Sequence, residues 1–305
     1  GVIGALGDAL ARGEVPEARL SMAMATLAAL GAEGHARLFA LIGGAAPSSV
    51  QQAAVDALAT VDLPGLAGRA GRGDTATRAR IARAIAALPV PVLAALAAAA
   101  TDGDATADLW RAVGVAATTA PAADRAAAIA ALEAALAAAG PSYALRYRTL
   151  AALAPLVDGD ALTRLAKTLA ALPASAAGHA LTRVAARGLG KNPAPGAQPV
   201  LATLAAAADP GVRLEAVRAL ATDARTDTAD GAVVTVLGGD RWPALRQAAA
   251  AGLALRCTRP GPRTALITAV GTDAHVPVRV EAVAALASCV DGAVATQFLT
   301  WVDDS

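Results

Sequence analysis

Between Asp209 and Leu220 the chain reads D-P-G-V-R-L-E-A-V-R-A-L, with apolar side chains returning every three or four residues. That spacing marks one face of an α-helix. Asp209 suits the N-cap, and Pro210 suits the first helical position, where a missing N–H costs nothing. Val212, Ala216, Ala219 and Leu220 fall on one stripe, and Arg213, Glu215 and Arg218 fall off it. The stripe is narrow and lined with alanine, so it can be buried only against close neighbours of the same kind. Leu245-Arg246 and Val278-Arg279 repeat Val212-Arg213 at two successive steps of 33 residues. A period of that size predicts stacked helical hairpins that share one continuous core.

Placed under Val212–Leu220, further copies of this second helix of the hairpin fall at Ala18–Thr26, Val50–Leu58, Thr77–Ile85, Asp108–Ala116, Leu145–Leu153, Leu181–Leu189, Leu245–Leu253 and Val278–Leu286. The copy at Asp108–Ala116 has no settled register. First helices lie between them, from Val2–Ala11 at one end to Ala293–Val302 at the other, where no second helix follows. Gly13–Pro16, Gly43–Pro47, Gly140-Pro141 and Asp209-Pro210 combine residues that stop one helix and cap the next. Strand signals are nearly absent, and the β-leaning run Val233–Leu237 occupies a helix position in the repeat. The Gly- and Pro-rich stretch at 188–199 is the one candidate break in a single domain spanning 1–305. The pattern resumes beyond it, so it reads as a surface loop.

Composition changes this picture in three places. Hydrophobic residues make up 56% of the chain, but most are alanine and aromatics are only 2%, so the apolar area per helix is small. The uncharged run between Arg83 and Asp102 is divided by Pro89 and Pro91, and no membrane span is expected. A net charge of +1 disfavours nucleic acid as partner, since that normally needs a basic excess gathered on one face. Cys257 and Cys289 lie near equivalent ends of neighbouring second helices. A disulfide between them is conceivable, although two buried thiols and a cytoplasmic location are the expectation.

The best copies, D209-P-G-V-R-L-E-A-V-R-A-L and V278-R-V-E-A-V-A-A-L, resemble HEAT repeats in the short bacterial form also found in phycocyanobilin-lyase-type proteins. The resemblance spans essentially the whole chain. It implies an all-α fold, a right-handed α-solenoid of about nine to ten helix pairs. It also implies a hydrogen-bonded ladder between neighbouring repeats, built from a turn aspartate and an early arginine of the second helix. Those roles fall on Asp209 with Arg213, Asp240 with Arg246, and Asp273 with Arg279. Gln51 stands where the second repeat would have its arginine, which interrupts the ladder there.

Catalytic signatures known from such solenoids are missing. No His-Glu pair of the kind that holds iron in the deoxyhypusine hydroxylase branch occurs, and the aromatics that the alkylpurine glycosylase branch needs are too few. His35, His179 and His275 sit in distant repeats and cannot share one metal in an open array. Asp102, Asp104 and Asp108 resemble the start of a calcium loop, but Val113 occupies the place of its bidentate glutamate, so they read as helix caps. No metal or cofactor is expected, and the chain reads as no enzyme. A lyase or isomerase acting on a bound cofactor is the remaining catalytic alternative.

Repeats of this class imply a scaffold or adaptor that binds protein partners on its concave face. The alternative is a binder of an anionic ligand or nucleic acid. In either case the candidates are arginines at positions equivalent to Glu215 and Arg218, namely Arg80, Arg83, Arg148, Arg187 and Arg218. Tyr147 and Trp110 could add an aromatic spot, with Trp110 equally suited to the core. The same arginines could instead pair with Asp56, Glu215 and loop carboxylates as a solvated face. At the C-terminal edge, Phe298 and Trp301 either pack back on Ala282–Leu286 or form an interface with a partner or a second copy. Leu220 shares its repeat position with Leu253 and Leu286. Leu220→Ala should therefore open a central cavity and lower stability by about 2–5 kcal/mol, read from the shift of the urea midpoint at constant slope.

Overall fold

A computed structural model of the chain describes residues 1–68, 77, 80–81, 84, 88–99, 103–222, 227–289 and 294–296. Every element among the described residues is helical, and none of these helices is long and apolar enough to cross a membrane. The chain forms two compact units, Gly1–Leu156 and Val157–Ser305. The first holds α1 (Val2–Arg12), α2 (Glu17–Ala29), α3 (Gly31–Gly43), α4 (Ser48–Val61), α5 (Leu63–Gly68), α6 (Val90–Ala99), α7 (Gly103–Ala117), α8 (Ala122–Ala138) and α9 (Tyr143–Leu153). The second holds α10 (Gly159–Ala170), α11 (Ala176–Leu189), α12 (Ala197–Leu204), α13 (Pro210–Ala221), α14 (Asp227–Gly239), α15 (Pro243–Leu253), a 3₁₀ turn at Ala254–Arg256, α16 (Pro260–Thr272) and α17 (Val276–Ala287).

Three of the described helices, α9, α11 and α13, begin on a side-chain cap. The Asp209 carboxylate accepts the Val212 N–H at 2.8 Å with Pro210 in the first turn, and Ser175 and Ser142 cap α11 and α9 through their hydroxyls. Gly13 ends α1 in the left-handed region at φ 72°, where a side chain would be strained and would also collide with Pro47. The run Val233–Leu237 is helical, inside α14. The fourth copy is a regular helix, α7, with Leu109, Trp110 and Val113 buried. The third copy, Thr77–Ile85, and the last first helix, Ala293–Val302, fall largely outside the described residues.

Packing alternates in each unit. In the second, α11, α13, α15 and α17 each pack on the next, and α12, α14 and α16 form a parallel layer beside them. In the first, α2 packs on α4 and α7 on α9, with α1 on α3 and α6 on α8. Leu220, Leu253 and Leu286 are wholly buried, as their shared repeat position predicts. Close approach depends on small residues. A Cβ at Gly114 would stand 2.5 Å from the Ala152 Cβ, one at Gly190 2.7 Å from the Ala219 Cβ, and one at Gly252 2.7 Å from the Ala221 Cβ.

Two expectations are corrected here. Arg213 does not lie off the buried stripe: it is 9% exposed, because its guanidinium finds carboxylate and carbonyl partners inside. Cys257 and Cys289 are not two thiols but a disulfide, with Cα atoms 5.9 Å apart, because adjacent second helices end side by side.

The stretch at 188–199 lies within the second unit and is tied down rather than loose. Asn192, 6% exposed, donates its side-chain amide to the Val157 carbonyl at 2.7 Å and accepts the Ala194 N–H at 2.8 Å. The 3₁₀ turn brings Arg256 wholly into the core, where it meets the Leu220 carbonyl and lies 3.4 Å from Asp230, which also takes Arg259 at 2.6 Å. The small-residue contacts give a direct check on the packing. Gly252→Val should push α13 and α15 apart and cost about 1–3 kcal/mol in thermal or urea unfolding, while Gly271→Ala, whose Cβ meets nothing within 4 Å, should cost far less.

Candidate functional site

The ladder residues come together, one repeat out of step with their pairing along the sequence. Arg213, on α13, grips Asp240 of the following turn through two bonds, Nε to Oδ2 at 2.7 Å and Nη2 to Oδ1 at 3.1 Å. Its Nη1 donates to the carbonyls of Ala207 and Ala208, both at 2.9 Å. Arg246 repeats the motif, reaching Asp273 at 2.7 and 2.9 Å and the Asp240 carbonyl at 2.7 Å. Arg279 donates to the Asp273 carbonyl at 2.8 Å. Both arginine–aspartate pairs are largely shielded from water and bidentate, the geometry in which charge-assisted bonds are strongest.

Burial pushes the Asp240 carboxyl up, but the Arg213 hydrogen bond, the Trp242 N–H and the charges of Arg213 and Arg241 prevail, holding it below the ordinary carboxylate range. At Asp273 the hydrogen bond from Arg246 is the leading cause, and it too outweighs burial and lowers the pKa. Asp209 has no arginine on its carboxylate. It caps Val212 and lies 3.3 Å from His179 Nδ1, because the ladder position of the preceding second helix is Thr182, whose hydroxyl turns back to the Gly178 carbonyl. In the first unit Gln51 substitutes for the arginine in part: its amide donates to the Gly44 and Ala46 carbonyls, both at 2.9 Å, and its oxygen accepts from Arg80. The interruption expected at Gln51 is thus a change of chemistry.

The proposed arginine stripe is not uniform. Arg80 is half-buried against Gln51, and Arg187 is held by Glu215 through bonds of 2.8 and 3.2 Å. Arg83 lies outside the described residues, as do Phe298 and Trp301 at the C-terminal edge. Arg148 and Arg218 are exposed, with no carboxylate on either among the described residues. Trp110 is corrected to a core residue: at 3% exposure it cannot form a surface spot, because α7 turns that side of the helix inward. Tyr147 is half-buried, and its ring lies 5.9 Å from that of Tyr143, which is 44% exposed.

Tyr143, one helical turn before Tyr147, was the signal available in the sequence for an aromatic pair. Arg111 holds Asp108 at 3.9 Å, and Asp102 falls outside the described residues. Each histidine has its own local partner: His35 is 3.7 Å from Asp62, His179 is beside Asp209, and the His275 N–H donates to Asp273.

No protein-family model matches the chain, and no curated protein does. Among solved structures, the chain is similar to human deoxyhypusine hydroxylase in complex with glycerol. The similarity is 17% identity over 94% of this chain and 95% of that one, with a TM-score of 0.37. That protein is an enzyme by name, and the expectation that this chain is no enzyme, which rested on missing short motifs, is withdrawn. The physical reason is that a helical array can draw a site from side chains far apart in sequence, so missing short motifs do not exclude catalysis.

The ladder makes a pH prediction. Both carboxyls have folded-state pKa values below their unfolded ones, so the stability they add is present above the unfolded value of about 3.9 and is lost as pH falls through the folded values. Asp240→Asn should cost about 3–5 kcal/mol at pH 7, because it leaves Arg213 buried without its counter-charge. The variant's stability should then fall less steeply than the parent's between pH 4 and pH 2, as measured by urea titration at each pH.

Proposed function

We propose that this chain is a HEAT-type α-solenoid scaffold that binds protein partners through the outward faces of its second helices. The observation that carries this reading is the surface of α9. There Tyr143 and Tyr147 stand as a tilted pair, and Arg148, next along the helix, is exposed and unclaimed by any carboxylate among the described residues. Tyrosine and arginine are the side chains that most often dominate protein interfaces, since each combines apolar area with directional donors. A partner matching this face presents an acidic or carbonyl-rich segment. In the second unit, taken by itself, Arg218 is an exposed cation on α13, and Arg187 on α11 is already neutralised by Glu215.

The competing reading, an anionic ligand or nucleic acid held by the arginines, predicts affinity that falls steeply with salt. A partner should first be recovered with the full chain as bait and then titrated quantitatively. Tyr147→Ala and Arg148→Glu should each weaken it by about 2 kcal/mol or more, with melting temperature preserved and only a modest loss of affinity in the parent between 50 and 200 mM salt. Unchanged affinity in both variants would remove α9 from the function. A loss of several hundredfold on adding salt, shared with polyanions such as heparin, would favour the electrostatic reading.

A further inference from the structure

The ladder fails in one described place in the second unit, and a cleft lies there. Where the pairs Arg213–Asp240 and Arg246–Asp273 tie successive turns, the backbones of α12 and α14, and of α14 and α16, pack closely. Those of α10 and α12 do not pack in this way. Thr182 stands at the arginine position of α11, too short to span to Asp209, and a cleft of about 540 Å³ opens between α10 and α12 over the start of α11. Its walls are apolar, chiefly Leu169, Leu172, Pro173, Val200 and Leu204. That volume is in the range that holds one small organic ligand.

Four polar side chains line the cleft, and three are already engaged. Thr182 donates to the Gly178 carbonyl and Thr203 to the Pro199 carbonyl, both at 3.0 Å. Asp209 uses Oδ1 on the Val212 N–H and turns Oδ2 toward His179 Nδ1 at 3.3 Å. A lone pair on Nδ1 would face that carboxylate oxygen unfavourably, so the tautomer that this contact favours has its proton on Nδ1 and its lone pair on Nε2. Nε2 has no hydrogen-bond partner among the described residues. Arg183 lies near the start of α13 but donates its Nε to the His179 carbonyl and does not line the cleft.

We propose that this cleft is a small-molecule site, distinct from the α9 face, that takes a flat apolar body carrying one hydroxyl, a phenol or related alcohol, whose O–H donates to His179 Nε2. The missing ladder arginine creates the space, Asp209 orients the ring, and the walls of α10 and α12 accept the apolar body. A carboxylate ligand would be repelled by Asp209.

The test is titration of the full chain with 2-naphthol, followed by its own fluorescence, against 2-methoxynaphthalene, which has the same ring system with a methyl in place of the O–H proton. Saturable one-site binding of 2-naphthol is expected, about tenfold or more tighter than the ether, the scale set by one polar group left unpaired. His179→Phe should abolish that preference. Thr182→Arg, which restores the arginine to the ladder, and Ala170→Trp, which plugs the cleft from the exposed side of α10, should each abolish binding of both probes with the helical circular dichroism retained. The proposal is overturned by absent or non-saturating binding of 2-naphthol, by equal affinity for the two probes, or by binding that survives in both Thr182→Arg and Ala170→Trp.

Discussion

A guanidinium taken out of water is costly unless its donors are met, and the stacking of α13, α15 and α17 is arranged around meeting that condition at Arg213 and Arg246. Arg213 and Arg246 each spend a planar fork on the carboxylate one repeat ahead and a further donor on the turn behind. Several positions follow from this one constraint. The turn must place an aspartate opposite the early part of the preceding second helix and must aim carbonyls back at its own arginine. The aspartate also takes the N–H two residues on, from Trp242 or His275, so that a single carboxylate fixes both the turn and the stacking of one hairpin on the next. Breaking a buried pair of this kind is far costlier than never having had it, which makes the turns the least substitutable part of the unit.

Where the arginine changes, the local structure changes with it. Gln51 keeps the bonds to the turn carbonyls with its amide and lets Arg80 supply the guanidinium from the next copy. Thr182 keeps neither bond, and the helices of the first layer stand apart there. Beside the buried leucines of the core, cohesion comes from the alanine- and glycine-lined contacts of α7 with α9, α11 with α13, and α13 with α15. These gain little apolar area per residue but allow backbones to approach closely, so that many weak dispersion contacts add to those of the large side chains. Outward faces are then free to carry the larger polar and aromatic residues, and α9 uses that freedom for two tyrosines and Arg148.

What the sequence by itself determined is the succession of helices. A period of 33 residues, alanine at the seam positions, and Asp-Pro or Gly-Pro at the breaks are local signals, and local hydrogen bonding and capping are sufficient to turn them into helices at the expected places. The buried leucines at 220, 253 and 286 were legible for the same reason, since a shared place in a repeat means a shared environment. Only the tertiary structure decided which aspartate each arginine holds, because Asp209 and Asp240 are both plausible partners for Arg213 until the hairpins stack and one carboxylate comes within 2.7 Å. It likewise buried Arg213 and Trp110, joined Cys257 to Cys289, tied down the stretch at 188–199 through Asn192, and opened the cleft at Thr182. Each of these depends on a group more than a helical turn away, and separation along the chain does not encode distance across it.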